Sequence, residues 1–317
     1  MKRYFVFGLL CAGILTACKH RELYYEFEHT KSVRVEFDWS AAPTADPDGM
    51  RVIFYPVDGN ARAVVENLEG KNGGAVDVPE GTYNVVCFNN DTENIRWRGT
   101  GSIETIEAFT RNTAILETMQ GPVDVPRGDS DTEPIVLAPD RMWRDRLDGV
   151  VISKEDETET VISFTPVSVT RHATYEISGV TNSEAITNIR GSLSGVSGSL
   201  FMGSNLLASE TSTIPFDGMV DKTDDTKIIG DFYFFGCCDT RLRQASRHKF
   251  TIYCWSKAGN VMASFNVTEQ LHGDGTDPEE VHLVMEGNID IPVAGVGDGG
   301  FEPGVGEWND ENEDLDL

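Results

Sequence analysis

The chain is short of positive charge and of histidine. Its 317 residues carry 26 Lys and Arg against 52 Asp and Glu, a formal net charge of −26, and only six histidines. A surface this acidic repels nucleic acid and anionic lipid headgroups, which argues against direct binding to either. Long apolar runs are missing as well: the one sustained stretch, Tyr4 to Leu15, is too short to span a bilayer. No long segment follows the apolar period of a helix. Catalytic signatures are absent too, with no Gly-x-Ser-x-Gly, no His-Glu-x-x-His and no phosphate-binding glycine loop. None of His20, His29, His172, His248, His272 and His282 stands in a recognisable catalytic context. Gly295 to Gly300 is glycine-rich like a dinucleotide loop, but it leads into an acidic tail without a helix and reads as a linker. A non-enzymatic protein without a cofactor is the expectation. A hydrolase with an unrecognised nucleophile is a third and weaker reading.

Cysteine is scarce. Of six, Cys11 lies in the apolar start and Cys18 just after it, which leaves Cys87, Cys237, Cys238 and Cys254. Four cysteines with one adjacent pair are not a disulfide framework. Buried free thiols are expected, with a Cys237–Cys254 or Cys238–Cys254 bridge as the alternative. A metal centre drawn from Cys237, Cys238, His248 and Cys254 lacks the close paired spacing of zinc motifs, so no metal is expected there. Oxygen donors in the loop His272 to Glu280 suit Ca²⁺ in kind, yet the EF-hand spacing is missing and an acidic hairpin loop is the simpler reading. Asp221, Asp224 and Asp225 read as a solvated turn. Trp97, Trp255 and Trp308 are the candidate glycan platforms, although packing at a core or rim accounts for each more simply.

What the chain does have is an address. Lys2 and Arg3 precede the apolar run, and Leu15-Thr16-Ala17-Cys18 closes it. Basic start, short apolar core and small residues before a cut make a secretory signal peptide. Leu15-Thr16-Ala17-Cys18 resembles the bacterial lipobox, which implies a signal of residues 1–17, cleavage between Ala17 and Cys18, and a diacylglycerol on the Cys18 sulfur. The alternative is an ordinary signal peptide that contains a cysteine. A thioether-linked diacylglycerol on Cys18 would contribute about 0.8 kcal/mol per buried CH₂, and two or three acyl chains together make a lasting anchor. Residues 18–31 then form a tether.

The body reads as β-strands. Val33, Val35, Phe37 and Trp39 alternate with Arg34, Glu36 and Asp38, one face apolar and one wet. Arg51 to Tyr55 is a second strand, ended or placed at an edge by Pro56. Tyr83 to Phe88 is apolar on both faces and belongs inside a sandwich. Ile103 to Phe109 is ambiguous between strand and short helix. Ile135 to Leu137 closes the first half, and Ala138 to Trp143 is the crossover. Further strands are expected at 161–164, 173–177, 228–235, 250–255, 261–267 and 281–285. Gly191 to Phe201 is a strand so rich in small residues that it marks a bulge or a close backbone approach. Two domains follow, at 32–143 and 144–292, with an acidic and disordered tail at 293–317. Asp131 to Leu137 and Asp277 to Leu283 look alike and hint at a duplication.

Taken in order, the Leu-Thr-Ala-Cys box, Val78-Pro79-Glu80-Gly81-Thr82-Tyr83-Asn84-Val85, Ala138-Pro139-Asp140-Arg141-Met142-Trp143 and Ile189 to Ser199 resemble the fimbrillin superfamily of Bacteroidales. Within it the chain is most similar to the anchor-subunit branch and its lipoprotein relatives, over residues 18–292. The resemblance implies an all-β fold of two tandem transthyretin-like Greek-key β-sandwiches. It implies an outer-membrane lipoprotein at the cell surface that serves fimbria assembly or adhesion and meets other fimbrial subunits by strand addition. Shaft subunits of the superfamily are cut after an arginine near the first strand, and here Arg21 and Arg34 lie between lipid and body. A cut at either would release the body, so a retained lipid fits an anchor. Surface-exported relatives often carry acids after the cysteine, whereas this chain has Lys19-His20-Arg21-Glu22, which leaves the face of the membrane open. The alternative function is a lipoprotein carbohydrate-binding module of a glycan uptake system.

Overall fold

The computed structural model describes residues 30–58, 62–113, 133–155, 158–237, 248–272 and 279–293. In chain order the strands are β1 (Thr30–Phe37), β2 (Gly49–Pro56), β3 (Val64–Glu69), β4 (Gly74–Pro79), β5 (Gly81–Asn89), β6 (Ile95–Arg98) and β7 (Glu107–Thr110). There follow β8 (Trp143–Ile152), β9 (Thr160–Phe164), β10 (Val167–Ser168), β11 (Arg171–Thr181), β12 (Ile186–Ser197), β13 (Ser199–Phe201) and β14 (Leu206–Leu207). The last are β15 (Thr211–Asp217), β16 (Met219–Val220), β17 (Lys227–Phe234), β18 (Lys249–Ser256), β19 (Gly259–Asn266) and β20 (Glu280–Asp290), with the helix α1 (Thr268–His272) between the final two. The class anticipated from the alternating runs, an all-β sandwich, is the one observed.

Among the described residues, five sheets stack in two groups. In the first, β4-β1-β9 faces the five-stranded β10-β8-β5-β2-β3. Between them lie Val33 and Val35 of β1, Met50, Val52 and Phe54 of β2, and Val85 and Cys87 of β5, all almost fully buried. The opposite face of the five-stranded sheet is covered as well. Val86 and Phe88 pack with Ile53, Ile95, Ile106, Ala108, Leu200 and Met202 under the sheet β14-β13-β7-β6. β5 is therefore apolar on both faces because a core lies on each side of it. The second group sets β16-β17-β11-β20 against β15-β12-β18-β19. Its core centres on Tyr175, whose ring lies 4.9 Å from that of Phe250 and 5.4 Å from that of Phe216.

The expected boundary at 143/144 falls on the first residues of β8, and pairing puts them elsewhere. β8 pairs with β5 along Gly81↔Ile152 to Phe88↔Arg144, and β9 pairs in parallel with β1. β8, β9 and β10 thus lie with the first group. Strand neighbours decide membership, and chain order does not carry that information. The two halves of the chain also interleave: β13, from the second, pairs with β7 from the first. Val136, expected to close the first half, bridges to Asn112 and packs into the core of the second group. Its supposed counterpart after Asp277 opens the 11-residue β20.

The small-residue strand is β12. Its register slips between Leu193 and Val196, the bulge its glycines foretold. A Cβ on Gly191 would lie 2.1 Å from the Phe216 ring, so glycine there makes room for an aromatic of the core. The ambiguous segment resolves as the strand β7, preceded by a turn in which Ile106 N–H donates to Ser102 O.

Candidate strand-addition edge

β20 is the end strand of its sheet. One side pairs in parallel with β11, from His172↔Glu280 to Thr181↔Asp290, and among the described residues no strand pairs with the other. Val281, Leu283, Met285 and Ile289 point into the core, which fixes the strand's register. Glu280, His282, Val284 and Glu286 point out. Charged and polar side chains of this kind discourage uncontrolled pairing at an edge.

At the middle of that edge sits a side chain acting as a neighbouring strand would. Gln270 Nε2 donates to Val284 O at 3.0 Å, and Gln270 Oε1 accepts from Val284 N–H at 2.8 Å. Gln270 belongs to α1. Asn266 Oδ1 accepts the Thr268 N–H at the start of this helix, and Leu271, 3% exposed, pins the helix to the core. By the alternation of a strand backbone, His282 and Glu286 turn their N–H and C=O to the same side as Val284. Val284 itself is one of the larger exposed apolar side chains.

The other anticipated residues separate clearly. Ala17, Cys18, Arg21, Cys238, Trp308 and the segment 294–317 lie outside the described residues, as do 273–278 of the acidic loop. Cys87 and Cys254 are free and buried, and burial pushes the Cys254 thiol up to about 12. Because Cys254 is a free thiol, neither bridge considered for it forms, and Cys237 is half-buried. It meets His248 and His272 instead. Asp221 and Asp224 accept hydrogen bonds from Thr223 and Thr226 within their own turn, which holds both carboxyls below their ordinary range. Trp97 stacks on Phe88 at 4.1 Å and Trp255 stacks on Tyr253, so both tryptophans serve packing. Arg34 pairs with Glu36 at 2.7 Å on the exposed face of β1.

Two features escaped the sequence. α1 is five residues long, too short for a periodic signal, and Gln270 gives no sign of its partner 14 residues on. Glu107 is only 6% exposed and takes both Arg98 Nε and Nη2 at 2.5 Å, while Ser199 Oγ donates to it at 2.5 Å. Arg98 holds that carboxyl below its ordinary range. This carboxylate ties β6, β7 and β13, strands from both halves of the chain, into one sheet.

These features define the class: a β-sandwich protein with a long end strand, in which no described helix is long and apolar enough to cross a membrane. The chain belongs to the family described as domain of unknown function DUF5119, whose model matches residues 17–217. A Bacteroides ovatus protein named as a candidate fimbrium anchoring subunit, Fim4B, is 28% identical over 328 residues, covering 94% of this chain and 93% of that protein. A crystal structure of a candidate adhesin from Bacteroides ovatus superposes with a TM-score of 0.60 at 26% identity, over 84% of this chain and 95% of that one. A candidate polysaccharide-binding protein of Bacteroides thetaiotaomicron shares the fold alone, with a TM-score of 0.50 at 12% identity over 81% of this chain and 90% of that one. The fimbrillin likeness anticipated from the order of motifs is borne out.

Proposed function

We propose that this chain is a lipid-anchored accessory subunit of a fimbria, an anchor held at the cell surface through Cys18 and joined to its neighbours by strand addition. The observation that carries the reading is the end-to-end similarity to a protein named as a candidate fimbrium anchoring subunit. The edge supports it physically. An open strand is a template for another strand, main-chain hydrogen bonds supply affinity, and alternate side-chain pockets supply register. At β20 the incoming strand replaces the two hydrogen bonds of Gln270 with a full ladder. The tandem-sandwich division and the acylation of Cys18 belong to the same proposal.

The test is Cys18→Ala in the native host. The variant is expected to lose labelled-palmitate incorporation, to leave the membrane fraction, and to let fimbriae be shed into the medium. Unchanged membrane recovery together with unchanged fimbrial attachment overturns the anchor reading. Glycan-array binding by the purified protein, with no recovery in sheared fimbriae, assigns it to carbohydrate capture instead.

A further inference from the structure

Three side chains from three separate segments converge where β17 ends, β18 begins and α1 ends. We infer that Cys237, His248 and His272 form a binding site for one Zn²⁺ ion. Their donor atoms all lie within 4.8 Å of one another. The two imidazole Nε2 atoms are 2.7 Å apart, with ring centroids 4.9 Å apart.

The second coordination layer is already in place. His248 is 1% exposed, and its Nδ1 lies 3.1 Å from the Ser194 carbonyl. A carbonyl only accepts, so Nδ1 carries the proton and Nε2 presents its lone pair to the cluster. Backbone contacts clamp the same residue: His248 N–H donates to Thr268 Oγ1 at 2.9 Å, and Val267 N–H donates to His248 O at 3.0 Å. Cys237 is held by its bridge to Val196, and Ser197 N–H donates to Gly236 O at 2.9 Å. Both braces come from the bulged stretch of β12, which puts that irregularity to use.

The donor set selects the ion. One thiolate and two neutral imidazoles suit zinc, whereas Ca²⁺ and Mg²⁺ want oxygen. Zn–N bonds near 2.0–2.1 Å in a tetrahedral site put the two nitrogens about 3.3 Å apart. A small rotation of the exposed His272 supplies the difference. In the metal-free protein His272 Nε2–H donates to His248 Nε2. On binding, His272 moves that proton to Nδ1, Cys237 releases its thiol proton to solvent, and three Zn–ligand bonds form. The fourth position opens on a cavity of about 460 Å³ lined by Cys237, His272, Arg171, Asn205 and Glu279, where water completes the shell. Because His272 closes the helix that carries Gln270, the ion also steadies the plug on β20. That consequence rests on the proposed docking edge, and zinc binding itself does not.

The test uses the full chain, purified without a metal-binding tag and stripped with chelator, then titrated with Zn²⁺ against a chromophoric competitor and with Co²⁺ in parallel. One equivalent is expected, and the Co²⁺ form should show tetrahedral visible bands with a thiolate charge-transfer band. Cys237→Ala should lose the charge-transfer band. His272→Gln, at an exposed position, should weaken Zn²⁺ binding at least tenfold, and His282→Gln should leave it unchanged. Binding below a tenth of an equivalent, or stoichiometric binding that survives both Cys237→Ala and His272→Gln, overturns the site. Hydrogen exchange at Val284, read with and without Zn²⁺, tests the coupling to the edge separately from the site.

Discussion

Gln270 closes the edge of β20 by giving Val284 both hydrogen bonds that a neighbouring strand would give. A side-chain amide carries the same donor and acceptor as a peptide unit, but it covers a single residue of an 11-residue strand. A stopper of that size protects the edge from chance pairing and yields to a partner that pairs along its length. Gln270→Ala should therefore cost little stability, about 0.5–1 kcal/mol, since water can reach the freed groups. It should raise hydrogen exchange at Val284 and speed capture of a synthetic donor strand. Slower exchange at Val284 in the variant would mean that the amide does not guard this edge.

The Glu107 carboxylate makes a second argument, this time about acid. It is buried, bound twice by Arg98 and once by Ser199, and its pKa is lowered. A carboxyl with a lowered folded pKa contributes stability that is present above its unfolded value, about 4.3, and lost as pH falls through the folded value. Glu107→Gln keeps the volume and removes the charge, so it should cost about 2 kcal/mol at neutral pH. The cost should shrink below about pH 4, where the natural carboxyl begins to protonate as well. Urea unfolding of both proteins at pH 7 and pH 3 checks this, and an equal difference at the two pH values would refute it.

How much of this could be read from the chain depends on the range of each cause. Alternation is local, so Val33 and Val35, Arg51 to Tyr55 and the two-faced Tyr83 to Phe88 declared their strands and their burial. The glycines of β12 announced a bulge for the same reason, because missing side chains show in the sequence. Pairing partners are not local. Nothing in Trp143 to Ile152 says that β5 is its neighbour, and the boundary drawn there followed chain order. The Cys237, His248 and His272 cluster was hidden in the same way. Its donors stand apart along the chain, His248 and His272 by 24 residues, and only the fold removes that separation. The close paired spacing sought for zinc finds sites built on one hairpin and misses sites built by three segment ends.

Arg34 decides between an anchor and a processed shaft subunit. Its strand is hydrogen-bonded on both sides, with Arg34↔Ala75 toward β4 and Arg34↔Val161 toward β9. Its neighbours Val33 and Val35 are 1% and 0% exposed. A protease needs several residues of backbone free and extended in its cleft. Reaching the Arg34–Val35 bond therefore means stripping β1 from both partners and emptying a core, which costs as much as unfolding the whole group of sheets. Arg62 offers the contrast, being exposed and outside any strand. An arginine-specific protease acting on the folded protein should cut after Arg62 and leave the Arg34 bond intact, with intact mass and N-terminal sequencing as the readout. Cutting at Arg34 should appear only in urea concentrations that unfold the protein, at a rate that follows the unfolded fraction. A fragment beginning at Val35, accumulating under native conditions without loss of the β signal in circular dichroism, would show that β1 is detachable. The chain would then be fitted to accept a donor strand in the vacated groove, and the lipid proposed on Cys18 would not hold the body to the membrane.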